Sequence, residues 1–203
     1  MKRNIFLTLA AVVVCGLAVT LFTQCNKDKE KNPEVKMMYY VSVSPDVLNV
    51  ADVEINYLDA SGAKHKEVLT DSVWRKPITT NTLPLTEGVW AKLTPKASIV
   101  EGNYQLRIHT VAAYDITLAD GTNAHGGWEN SDSDITIVQN PEEVSAWCAQ
   151  SPAIACIIDK EGNSENTQID FGGNSYYDKF KDLGCVFWCW IFGNDPETSC
   201  DKW

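Results

Sequence analysis

From Lys36 onward, apolar and polar residues alternate with a period of two. Met37, Tyr39, Val41 and Val43 interleave with Met38, Tyr40 and Ser42, and Val53, Ile55 and Tyr57 with Glu54 and Asn56. The same alternation recurs at Val89, Ala91 and Leu93, at Tyr104, Leu106 and Ile108, at Tyr114, Ile116 and Leu118, and at Ile135 and Ile137. Successive side chains of a strand point to opposite faces, so each run predicts a half-buried strand. Turn-forming residues separate the runs at Ser44-Pro45-Asp46, Asp59-Ala60-Ser61-Gly62, Glu101-Gly102-Asn103 and Asp120-Gly121-Thr122-Asn123. Short alternating strands without intervening helical patterns predict a mainly β, antiparallel sandwich of about seven strands over residues 36–138.

This strand pattern resembles the small Ig-like modules common in bacterial surface proteins. The Cys-Trp-Cys signature of antibody domains is absent, because no cysteine lies between residues 26 and 147.

After Val138 the pattern changes. Asn140-Pro141-Glu142-Glu143 combines an N-cap residue, a proline at the first helical position and acids in the first turn, and Val144, Trp147 and Cys148 then share one helical face. Residues 155–158 and 167–171 read as two strands around a turn at Glu161-Gly162-Asn163, and residues 175–183 as a short helix. An uncharged run, Cys185-Val-Phe-Trp-Cys-Trp-Ile-Phe192, comes next. The expected architecture is therefore an Ig-like β-sandwich over residues 36–138 and a small Cys-rich, aromatic-rich α+β region over residues 139–203. Residues 141–203 are too short to bury their own aromatics and are expected to pack as a cover on the sandwich, with Tyr114, Ile116 and Leu118 as neighbours.

The other end of the chain carries an address. Lys2 and Arg3 precede an uncharged, apolar run from Ile5 to Phe22, the pattern of a secretory signal over residues 1–24. That run also reaches the length of a membrane-spanning helix, about 17–20 residues, so an uncleaved anchor and simple secretion stand as alternatives. The next stretch, Gln24-Cys25-Asn-Lys-Asp-Lys-Glu-Lys31, resembles the start of surface lipoproteins of Bacteroidetes. The resemblance implies lipidation of Cys25, a flexible tether over residues 25–35, and a location at the outer membrane or cell surface, held to the membrane through lipid. Gln24 departs from the small residue such signals place before the cysteine. Removing residues 1–24 takes away two cations and no acid and moves the net charge from −10 to −12. So acidic a protein repels polyanions, and nucleic acid is not an expected partner.

In an exported protein the clustered Cys148, Cys156, Cys185, Cys189 and Cys200 are disulfide candidates whose connectivity the sequence leaves open. Zinc is the competing use of the same thiols, but the tail has no histidine and the compartment favours oxidation, so no metal or cofactor is expected. Asn130-Ser-Asp-Ser-Asp134 alternates oxygen ligands as a calcium loop does, yet Ile135 stands where such a loop needs glycine, so a polar turn is expected. His125-Gly-Gly-Trp128 reads as a glycine-rich loop, with Trp128 and His125 as candidates for stacking on a sugar or a protein partner. No nucleophile elbow, zinc-protease pair or phosphate loop occurs. The expected function is a non-enzymatic binding or assembly role in the envelope; a glycan-binding accessory protein and a hydrolase with an unrecognised site are the alternatives.

Overall fold

The computed structural model describes residues 31–131, 135–172 and 175–176. The signal segment, Cys25, most of the tether, and residues 177–203 with Cys185, Cys189 and Cys200 lie outside them. The described chain is mainly β, built from antiparallel sheets.

The predicted alternation becomes β1 (Glu34–Val43), β2 (Ala51–Leu58), β5 (Leu85–Pro95) and β7 (Ile108–Thr117). Their inward residues, among them Met37, Tyr39, Val41, Val53, Ile55, Val89, Ala91 and Ile116, are buried in one core. Two further strands, β3 (Lys64–Val68) and β4 (Val73–Thr80), occupy a stretch for which the pattern predicts no element. Both are edge strands, rich in charge and carrying the exposed Pro77, and sheet edges favour such residues because they discourage further pairing. Ser44-Pro45-Asp46, expected as a turn, instead opens a short helix, α1 (Pro45–Val50), which buries Val47 and Val50.

The run from Tyr104 to Ile108 is interrupted at Arg107. Ser44 Oγ donates to the Gln105 carbonyl at 2.7 Å and accepts the Arg107 N–H at 2.9 Å. Those bonds hold β6 (Tyr104–Leu106) apart from β7 and leave it to pair with β9 (Thr136–Val138). The phase of β9 is opposite to the expectation: Val138 is buried, and Ile135 and Ile137 are exposed.

β8 (Asn123–Ser131) replaces the expected glycine-rich loop. Its Gly126 has a packing reason. Tyr114 of β7 sits opposite Gly126, and a Cβ on that residue would lie 2.5 Å from the Tyr114 hydroxyl. The ring covers the glycine, as aromatic residues do for glycines in paired strands.

The helix signal at Asn140 produces α2 (Pro141–Cys148), with the Asn140 side chain accepting the Glu143 N–H at 2.9 Å and Val144, Trp147 and Cys148 buried. β10 (Pro152–Ile158) and β11 (Ser164–Asn166) come after it, and a two-residue strand, β12 (Ser175–Tyr176), pairs with the start of β10. One sheet runs β4-β1-β7-β8 and the other β11-β10-β5-β2-β3. β10 is thus an interior strand, hydrogen-bonded to β5 on one side, and Ile154, Cys156 and Ile158 join the same core as β1 and β7. The described part of the C-terminal region is built into the two-sheet body instead of lying over it. Tyr114 does meet this region, with its hydroxyl 2.7 Å from Ser164 Oγ.

Candidate functional site

The strand ends near Glu34 gather at one pole of the molecule, with the turns at residues 59–63, 81–84, 118–122 and 159–163 at the same end as the start of β1. There Pro33, Leu83, Leu118 and Ala119 form the floor of an open groove of about 570 Å³, with Asp120, Thr122, Lys160 and Glu161 at its rim. That volume lies in the range of small-ligand sites. Asp120 is held below the usual carboxylate range, first by the Thr122 backbone N–H, which donates to it at 2.8 Å. The groove therefore has an apolar floor and charged side chains of both signs at its rim.

A second constellation closes the long side of the body. Glu67 of β3 accepts from Lys76 Nζ at 2.6 Å, Trp74 Nε1 at 2.7 Å and the Tyr57 hydroxyl at 2.8 Å. These bonds, the lysine's first, lower its carboxyl to about 2. Because β3 and β4 belong to different sheets, Glu67 clasps the two sheet edges together. His65 stacks on Tyr57 with ring centroids 5.3 Å apart and pairs with Asp59 at 2.7 Å. With three donors on it and its carboxyl held at about 2, Glu67 ties the sheet edges together and is a poor proton acceptor.

The third is sealed in the core. Glu87 of β5 is fully buried, facing Tyr39 of β1 and Cys156 of β10. Its Oε2 lies 3.6 Å from Cys156 Sγ, and its Oε1 has no hydrogen-bond partner among the described residues. Burial pushes the carboxyl up to about 8, with the thiol contact working weakly the other way. Burial, and then the Glu87 charge, raises the Tyr39 phenol, whose oxygen accepts the Gly88 N–H at 3.0 Å. No motif marks this group in the sequence: Glu87 interrupts an apolar alternation, and only the register places it inward.

The residues singled out from sequence fall apart in space. Trp128 pairs with Ala112 on the inward face and is 2% exposed, so it presents no ring face to a sugar. His125 lies on the outward face of the same strand and is exposed. A strand separates positions 125 and 128 onto opposite faces, so the two do not form a joint platform. His109 lies 3.5 Å from Glu129 on the outward face. Of the calcium-like run, Asn130 is buried in β8 and residues 132–134 lie outside the described set. Among the described residues no group of three or more metal-ligating side chains converges.

Cys148 and Cys156, two of the disulfide candidates, are buried free thiols. Burial raises both, Cys148 to about 11, which leaves almost no thiolate at neutral pH. Alkylation of the native protein is therefore expected to spare both residues, and unfolding should expose both. Rapid labelling of either in the folded state, or a bridge found at either by mass spectrometry of unreduced peptides, would contradict this arrangement.

Comparison with known proteins finds no matching family model, no matching curated protein and no matching solved structure.

Proposed function

We propose that the chain is a lipid-anchored, non-enzymatic envelope protein whose body serves as an Ig-like binding or assembly module, presenting a protein partner with the end opposite its tether. The observation that carries this reading is where the body leaves apolar side chains wet. Among the described residues, the exposed large apolar side chains are Val68, Val73, Val100, Ile135 and Ile137. Every one belongs to the far end: Val73 pairs with Ser42 near the end of β1, Val68 ends β3, Val100 comes after β5, Ile135 precedes β9, and Ile137 lies within it opposite Gln105. The tether joins at the other pole, beside Glu34, which pairs with Thr117. Apolar patches left exposed are common interaction surfaces, and these five side chains share one end of the body. A tether ending at Cys25 would turn that end away from the membrane.

Two measurements test the reading. Cys25→Ser is expected to move the protein from the membrane to the soluble fraction, since stable anchoring requires the acyl chains; an intact mass showing unmodified Cys25, or an N-terminus still at Met1, rejects the anchor. A photo-crosslinking residue at Ile137 in cells producing the full chain is expected to give a discrete protein adduct, and one at Ala119 beside the tether is not. Identical adducts from both positions, or none from Ile137, reject the binding end.

A further inference from the structure

The outward face of the β4-β1-β7-β8 sheet is unlike a face open to water. Antiparallel sheets with one solvated side carry polar residues there. Here the register aligns Pro77, Met38, Ala113 and Gly127 in one row across the four strands, and Arg75, Tyr40, Val111 and Glu129 in the next. These rows face outward, because the intervening row of Tyr39, Ala112 and Trp128 points into the core. Their centre is an apolar trough with a floor of Ala113 and Gly127. Charged groups flank it: Arg75 stacks over the Tyr40 ring at 5.5 Å, and Glu129 pairs with His109.

Val111 and Ala113 are nevertheless 0% exposed and Tyr40 is 7% exposed. Among the described elements, the closest packing of β7 and β8 outside their own sheet is against β5 and β10, which lie on the inward side. A trough of small apolar residues at zero exposure is a surface with an occupant.

We infer that the occupant is the chain's own uncharged segment, residues 185–192. Two observations select it. First, Cys-Val-Phe-Trp-Cys-Trp-Ile-Phe is an uncharged run of eight residues, four of them aromatic, which is costly to leave in water. Second, the described chain ends in the right place. Tyr176 pairs with Ala153 at the start of β10, and β10 is in contact with β8, the edge strand of the trough's sheet. The eight residues from 177 to 184 span up to about 27 Å when extended. Rounding β8 to reach β7 requires the spacing between packed sheets, about 10 Å, and one or two strand spacings of about 5 Å. Indole or phenyl rings laid over Ala113 and Gly127 bury flat apolar area where the floor has no side chain to obstruct them. The tail thus straps the outside of one sheet, on the face opposite Tyr114 and Ile116, and this face is closed to partners while the far end stays open.

The experiment places a benzophenone side chain at Met38, on the half-buried flank of the trough, in the full-length protein. Irradiation, digestion and mass spectrometry are expected to link position 38 to the peptide carrying residues 185–192 of the same chain. A link to residues 1–24, a link between two copies, or no protein link overturns the inference. Ala113→Arg, which fills the floor with a charged side chain, is expected to speed chymotryptic cleavage within residues 187–192 at least tenfold at unchanged far-UV circular dichroism. Cleavage at the parental rate in a folded variant also overturns it.

Discussion

Glu87→Gln is expected to make the protein more stable at pH 8 by as much as about 4 kcal/mol and to flatten its stability between pH 4.5 and 8. The carboxyl titrates near 4.5 when exposed and is pushed up to about 8 by burial in the fold. Between those values the folded state holds a proton that the unfolded state has released, so stability falls as pH rises, by about 1.4 kcal/mol per unit. Below 4.5 both states are protonated and the penalty is absent; above 8 both are ionised and it is complete. Glutamine has nearly the shape of the neutral acid and removes the ionisation. Urea melts of parent and variant at pH 5, 6.5 and 8 measure the effect. Parallel pH dependences for the two proteins would show that Glu87 is hydrated or paired in solution, against its burial here.

Ending the chain after Asn140 is expected to abolish cooperative folding. The deletion removes Ile154, Cys156 and Ile158 from the core together with Val144 and Trp147 of α2, and it leaves one edge of β5 without its hydrogen-bonding partner. Full burial of one large aliphatic side chain contributes about 1.5–3 kcal/mol, and net stabilities are about 5–15 kcal/mol, so the loss exceeds what a domain holds in reserve. The truncated chain should be insoluble or lack a cooperative thermal transition. If it melts as the full-length protein does, β10 is dispensable and the order β11-β10-β5-β2-β3 is wrong. Chains ending after Tyr176 are a separate matter: they keep β10 and lose the segment assigned to the trough.

Local pattern carried much of the fold. Period-two alternation located β1, β2, β5 and β7, because a strand half-buried against a core must alternate whatever its partners are. Asn140-Pro141-Glu142-Glu143 located α2 because the cap, the fixed φ of proline and the helix dipole all act within one turn. The pattern failed where burial is not simply alternating. β3 and β4 carry charges that suit an edge, and being an edge is a property of the sheet. The phase of β9 depends on its pairing with β6, and that in turn on Ser44 and Asp46, about sixty residues away.

The candidate sites were less legible for the same reason. Trp128 and His125, three positions apart, suggested one platform, but a strand places such positions on opposite faces. Glu87, Tyr39 and Cys156 are separated by tens of residues and become neighbours only when two sheets close over them. By itself the sequence determined the antiparallel β character and the helix at Asn140, and it holds the whole case for export, since each rests on composition or short-range periodicity. Only the tertiary structure decided that the C-terminal region threads β10 into the body, that a carboxyl is sealed in the core, and that an apolar trough lies on the outside of one sheet. Those features arise from pairing between distant segments, where register chooses which face each side chain takes.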